Sequence, residues 1–367
     1  MQSHEVLRYE QSPLKIDYLN KRLVRMNLNE NLVLPRKLIK FLATRSIDRL
    51  DLRHYPSNME SGEVLTLRRE IARYCNCSTG SVAIGSGSDQ VMDLLFRASL
   101  KKMSDKLLTI DPTFSMYGVL ASRLGSKTVF VKAQASNYGG GAFSLDFKRL
   151  LVKCKDKNVK IIVLASPNNP TGIQYPLQEI EALVACLPDK TFMLDEAYVE
   201  YAEYSATSLL RSYPNLFIAR TFSKAFGLAS LRLGYLVCSN ERIIEEINNE
   251  LQYPFPITTL SAIIATDMLR KKDVVIRYAK KTKRLRQEMI ESLSTLGKGI
   301  RVVSQSNTNF VLVQCPKAWK IAVDLLSNYA IALKYIPKLG REKEFLRISV
   351  GTREMNQKLL RALQKVA

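Results

Sequence analysis

The chain has 367 residues, 46% apolar and 24% charged, with 55 Lys and Arg against 34 Asp and Glu for a net charge of +21. That length suits one large domain plus a smaller one. No run of 18 apolar residues is present to span a bilayer, and His4 and His54 are the only histidines, so a histidine-rich metal site or a Ser-His-Asp triad is excluded and no metal is expected.

The first stretch, "MQSHEVLRYEQSPLK", has no apolar core of a signal peptide, so a cytoplasmic, soluble protein is expected. Residues 1–28 read as an irregular arm running into "MNLNENLVLP". Helical and strand-like signals then alternate: "GEVLTLRREIARYC" as helix, "SVAIGS" as a short apolar strand, "DQVMDLLFRASLKKM" as helix, "DKLLTIDPTF" as a strand entering a turn, "SMYGVLASRLG" as helix and "KTVFVKA" as strand. From Val159 the strands lengthen into continuous apolar runs: "VKIIVLASPNNPTG", "KTFMLDEAY", "NLFIARTFSK" and "LRLGYLVCS", with "LQEIEALVACLP" as the helix after the first. Such runs suit strands buried on both faces, and their alternation with helices predicts an α/β domain with a mostly parallel sheet. After a long helix over 258–296, the tail "NTNFVLVQ", helix, "YAIALKYI", "LRISVG", helix predicts a smaller α+β domain.

The six cysteines are scattered, and "CNC" has the wrong spacing for a redox pair. They read as free thiols, with Cys186 and Cys238 acting as small buried hydrophobes. Basic residues cluster at Lys148–Lys157 and in "RYAKKTKRLRQEMIESL", where Ile276, Leu285, Met289 and Leu293 make a helical apolar stripe. Neither cluster is interleaved with aromatics for base stacking, so the charge speaks to non-specific attraction and nucleic acid is not the expected partner.

Three of the buried runs deliver polar residues to their carboxyl ends: Asn169, Asp195, and Ser223 with Lys224. In an open α/β sheet a ligand sits at that edge. "VAIGSGSDQ" adds a glycine-rich turn between a strand and a helix start, where backbone amides can cradle a phosphate. It lacks the third glycine of a dinucleotide fingerprint.

Asp195-x-x-Tyr198, Ser223-Lys224, Arg232 eight residues on, and "SPNNPTG" together resemble the fold type I pyridoxal-phosphate aminotransferases, which have an aspartate-aminotransferase-like fold. Within them the chain is most similar to the histidinol-phosphate aminotransferases, through "NLNEN", "HYP", "GSGSDQVMDLL", "DPTFSMY" and "LRISVGTRE", in family order along almost the whole chain.

The resemblance implies an arm over 1–28 that packs on the small domain or a dimer partner, a cofactor-binding large domain over 29–255 and a small domain over 256–367. It implies Lys224 as the amine that holds pyridoxal phosphate as a Schiff base and then carries the proton, Asp195 as the carboxylate at the pyridine nitrogen, and Asn169 with Tyr198 at the phenolic oxygen. Phe114 would stack on the ring. Ser88, Asp89 and Gln90, with Ser223 and Arg232, would hold the phosphate, and Tyr55 would reach it from a second subunit, making a homodimer with a shared site. Arg347, Lys334, Tyr9 and Asn29 would meet the substrate.

Lys334 stands where the family commonly has an arginine for the substrate phosphate, and lysine lacks the bidentate fork. The implied reaction moves an amino group between L-histidinol phosphate and 2-oxoglutarate. An aromatic amino acid aminotransferase and a phosphothreonine decarboxylase, on the same scaffold, stay open, as does a nucleic-acid-binding regulator that kept the fold.

Overall fold

The computed structural model describes residues 14–48, 50–135, 143–303, 305–339 and 342–367. Its central element is a seven-stranded sheet in the order Val82–Gly85, Gly234–Val237, Leu216–Thr221, Thr191–Asp195, Val159–Ala165, Lys106–Asp111, Lys127–Lys132. Every neighbouring pair is parallel except the two made by Gly234–Val237, which runs against both of its neighbours. The middle strands carry apolar side chains on both faces because helices cover both. Val64, Leu67, Ile71 and Leu150 belong to the core on one face, and Val91, Leu95, Phe96 and Tyr117 to the core on the other. Each such side chain contributes roughly 1.5–3 kcal/mol on leaving water.

The second sheet runs Val24–Met26, Ile331–Leu339, Glu342–Ser349, Phe310–Gln314, Arg301–Val302. Part of the arm is therefore regular: Val24–Met26 pairs in parallel with Ile331, Ala332 and Leu333. The backbone of 24–26 alternates faces and puts Met26 into the smaller core, which is why a stretch read as irregular becomes an edge strand.

The helix expected over 258–296 is two helices, Thr259–Arg270 and Lys272–Thr295, broken at Lys271. The first packs its Ala262, Ala265 and Met268 into the larger core. The second joins both cores, with Val275 and Ala279 in the larger and Leu285, Met289 and Leu293 in the smaller. Ile276 departs from the expected stripe and is exposed, since Val275 takes the inward position. Cys186 is also exposed, not buried: its helix ends at Ala185 and leaves the thiol at the C-terminal cap. Cys238 is buried as expected. Among the described residues no helix is long and apolar enough to cross a membrane.

Candidate active site

The cleft lies where the parallel strands end at Ala165, Asp195 and Thr221, with Arg347 of the second sheet in its wall. Its volume is about 270 Å³, and its walls include Ser88, Phe114, Asn169, Asp195, Tyr198 and Lys224. Asp89, Ser223, Arg232, Asn29 and Arg347 complete the expected residues that line it.

One end is a helix start. Helix Ser88–Ser99 begins at Gly87 with no side-chain cap, so its first amides have no intrahelical partner and suit an anion. Gly87 holds φ +81°, and a Cβ there would stand 2.7 Å from Arg232 Nη2. Opposite, Gly234 lies so close that its Cβ would fall 2.2 Å from the Ser88 nitrogen. Arg232 itself takes φ 48°, a backbone conformation costing on the order of 1–2 kcal/mol for a residue with a side chain. Its guanidinium is 3.7 Å from the Asp89 carboxylate, a half-exposed contact. That contact offsets the one negative charge in the helix's first turn.

The floor is Asp195, buried at the end of its strand. Tyr117 donates its phenol hydrogen to Asp195 Oδ2 at 2.6 Å, and the Ala197 amide donates to Oδ1 at 2.9 Å. Burial pushes the Asp195 carboxyl up to about 6, against the pull of these two donors. Lys224 follows the neighbouring strand and donates from Nζ to the Leu28 carbonyl at 3.3 Å, with Nζ 5.7 Å from the Tyr198 ring centre. Tyr198 accepts from Asn29 Nδ2 at 2.9 Å and packs edge-on against Phe310 at 5.4 Å. Asn29 is thus a buried strut at φ 57° that also donates its amide to Ser349. Arg347 donates to Asn169 Oδ1 at 2.6 Å and to the Asn27 carbonyl at 2.9 Å.

Three expected residues are not among those that line the cleft, and a fourth cannot be placed. Gln90 turns its side chain away, accepting from the Ser86 amide at 2.5 Å and donating to Gln252. Tyr55 is 82% exposed and stacks on Phe255 at 5.1 Å, outside this chain's own cleft. Lys334 lines an adjoining cavity. Tyr9 lies outside the described residues. Tyr117 escaped the sequence reading, because inside "SMYGVLASRLG" it looks like one more apolar helix position. Thr221 also lines the cleft and accepts from the Ser223 amide at 3.1 Å.

A family model described as aminotransferase class I and II matches residues 21–363. The chain belongs to this family. It is similar to histidinol-phosphate aminotransferase 2 of Hydrogenovibrio crunogenus, with 33% identity over 94% of this chain and 88% of that one. It is 32% identical to the histidinol-phosphate aminotransferase of Francisella philomiragia over 82% of this chain and 81% of that one. Among solved structures, the Sinorhizobium meliloti histidinol-phosphate aminotransferase in complex with pyridoxal-5′-phosphate shares the fold, with a TM-score of 0.81, 24% identity, and coverage of 94% of this chain and 90% of that one.

The protein is a pyridoxal-phosphate-dependent aminotransferase with the aspartate-aminotransferase-like fold. The residues present fit that cofactor. An uncapped helix start flanked by two close-approach glycines suits its phosphate, and a buried carboxylate suits its ring nitrogen.

Proposed function

We propose that this aminotransferase moves an amino group between L-histidinol phosphate and 2-oxoglutarate, as a cytoplasmic homodimer of the histidine-biosynthetic type. Similarity to the histidinol-phosphate enzymes over most of both chains is the observation that carries the substrate. A cation-rich cavity beside the cleft supports it, since Lys334, Lys338 and Arg347 line it with a single carboxylate, Asp111, among the described lining residues.

Bound pyridoxal phosphate supplies an electron sink for the carbanion that forms when the substrate α-carbon loses its proton. The chain's own residues do the rest. Lys224 would supply the amine that holds the cofactor and would move a proton at the substrate α-carbon. Asp195, kept from water by burial, would face the ring nitrogen and favour its protonated form. Tyr198, steadied by Asn29, and Asn169 would serve the phenolic oxygen. Phe114 would cover the ring. The amides of Ser88, Asp89 and Gln90, with Ser223 and Arg232, would hold the phosphate. Gln90 needs only its backbone for this, which agrees with a side chain turned elsewhere.

Arg347 takes the α-carboxylate of glutamate in one half-reaction and the phosphorylated amine in the other, where Lys334 also meets the phosphate. Tyr55, exposed and stacked on Phe255, serves the partner subunit's cofactor phosphate. On this reading 29–255 is the large cofactor-binding domain, 256–367 the small domain, and 1–28 an arm that packs on the small domain or a dimer partner.

The test is product analysis. Holoenzyme given L-histidinol phosphate and 2-oxoglutarate must form glutamate. Glutamate formed only from phenylalanine would replace this reading with aromatic transamination, and carbon dioxide released from phosphothreonine without any keto acid would replace it with decarboxylation.

A further inference from the structure

Beside the cofactor cleft, and sharing Leu28, Phe114, Asn169 and Arg347 with it, is a cavity of about 600 Å³. One wall is strand Ile331–Leu339. A strand sends alternate side chains to one face, so Lys334, Ile336 and Lys338 all line the cavity, while Tyr335 points away to Glu344 and Trp319. Across the hairpin, Lys334 pairs in register with Arg347, and Lys338 with Lys343. Lys338 is exposed, and no ion pair holds it among the described residues. Arg347 is anchored at the inner end by Asn169 and the Asn27 carbonyl, where a carboxylate next to the cofactor would meet it.

We propose that Lys338 is a specificity-determining residue: with Lys334 it forms a two-lysine clamp for a dianionic phosphate monoester. The reasoning starts from charge. A phosphate monoester carries about −1.5 to −2 at pH 7, against −1 for a carboxylate. A lysine meets it as a single point charge without the fork of a guanidinium, so one lysine leaves about half to one charge unbalanced. Lys338 stands four strand positions, about 13 Å, beyond Lys334 on the same face, a span that two lysine stems leaning toward each other can close around one anion. The apolar Ile336 lies between the two lysines on that face. A monoanionic substrate held by Arg347 gains little from the outer lysine, so the pair selects for the phosphate.

This inference rests on the proposed function, and the experiment separates the two. kcat/KM of holoenzyme is measured for L-histidinol phosphate and for glutamate, in wild type, Lys338→Ala and Lys338→Arg. Inorganic phosphate is then used as a competitive inhibitor of whichever amino donor is accepted. For Lys338→Ala we expect about a 10-fold loss with the phosphorylated amine, expressed in KM, at least about fivefold larger than the loss with glutamate. Phosphate inhibition should weaken by a similar factor, and Lys338→Arg should restore both. Equal losses on both substrates, or unchanged phosphate inhibition, overturns the role of Lys338. If wild type ignores histidinol phosphate, the proposed substrate fails, and the phosphate inhibition still decides the clamp.

Discussion

The phenol of Tyr117 and the carboxylate of Asp195 share a buried hydrogen bond of 2.6 Å at the floor of the cleft. Burial raises the Asp195 carboxyl, and the bond pulls it down, so the tyrosine sets how readily the aspartate carries the charge that its proposed place at the cofactor nitrogen requires. Tyr117→Phe keeps the ring in its packed position and removes only the donor. We expect the affinity of the apoprotein for pyridoxal phosphate at pH 7 to fall by about 5- to 10-fold, in line with losing one hydrogen bond to a charged group. A titration followed by absorbance checks this; unchanged affinity would mean that the bond has no hold on Asp195.

The raised Asp195 also sets a pH dependence. Its folded value of about 6 exceeds the ordinary 3.8, so between those values the folded apoprotein binds more protons than the unfolded chain. Stability from this group is therefore lost as pH rises from about 4 to about 6, amounting to roughly 3 kcal/mol for a shift of that size. Cofactor binding runs the other way, because a cationic ring nitrogen needs the ionised carboxylate. Affinity for pyridoxal phosphate should strengthen as pH rises through about 6. The cofactor phosphate titrates in the same range, so Asp195→Asn is the control: it should bind weakly and lose most of the slope.

Lys224 donates to a backbone carbonyl 3.3 Å away and lies over the Tyr198 ring, and no carboxylate forms an ion pair with it among the described residues. An amine so placed is available to the cofactor. Borohydride treatment of holoenzyme should fix the cofactor's mass on the peptide that carries Lys224. Lys224→Ala should lower turnover by about 1000-fold or more, as the loss of amine and proton carrier together requires. Labelling at another lysine would reassign the role.

Gly87 and Gly234 both crowd the helix start, but what each faces differs. A Cβ at Gly87 meets the far end of Arg232, which can swing aside, although φ +81° still strains the change. A Cβ at Gly234 meets the Ser88 backbone, which cannot move without shifting the helix. Gly234→Ala should therefore cost about 1–3 kcal/mol of stability and weaken cofactor binding more than Gly87→Ala. Thermal melts with and without pyridoxal phosphate measure both effects, and equal behaviour of the two variants would contradict this ordering.

Much of the site was legible because buried strands advertise themselves as apolar runs, and the polar residues that end them stand out. Asn169, Asp195 and Lys224 were readable for that reason, and the cleft gathers all three. Tyr117 was not, since its hydrogen bond crosses 78 positions and its helix looks uniformly apolar. Val24–Met26 was too short to carry a period and gains its conformation from Ile331–Leu333. The antiparallel course of Gly234–Val237 was equally hidden, as an apolar run does not reveal its direction. Ile276 and Cys186 failed where one residue's difference at a helix face or end decides between core and solvent. Tyr55 points to what one chain cannot contain: an aromatic that leaves its own cleft has its proposed use in another.

The most direct measurement is a single-turnover absorbance experiment on cofactor-loaded protein, with glutamate, L-histidinol phosphate, phenylalanine and phosphothreonine added in separate runs. We expect rapid conversion of the bound cofactor to its amine form by glutamate and by histidinol phosphate, with little from phenylalanine or phosphothreonine. Conversion by phenylalanine but not by histidinol phosphate, or protein that never takes up pyridoxal phosphate, would contradict it.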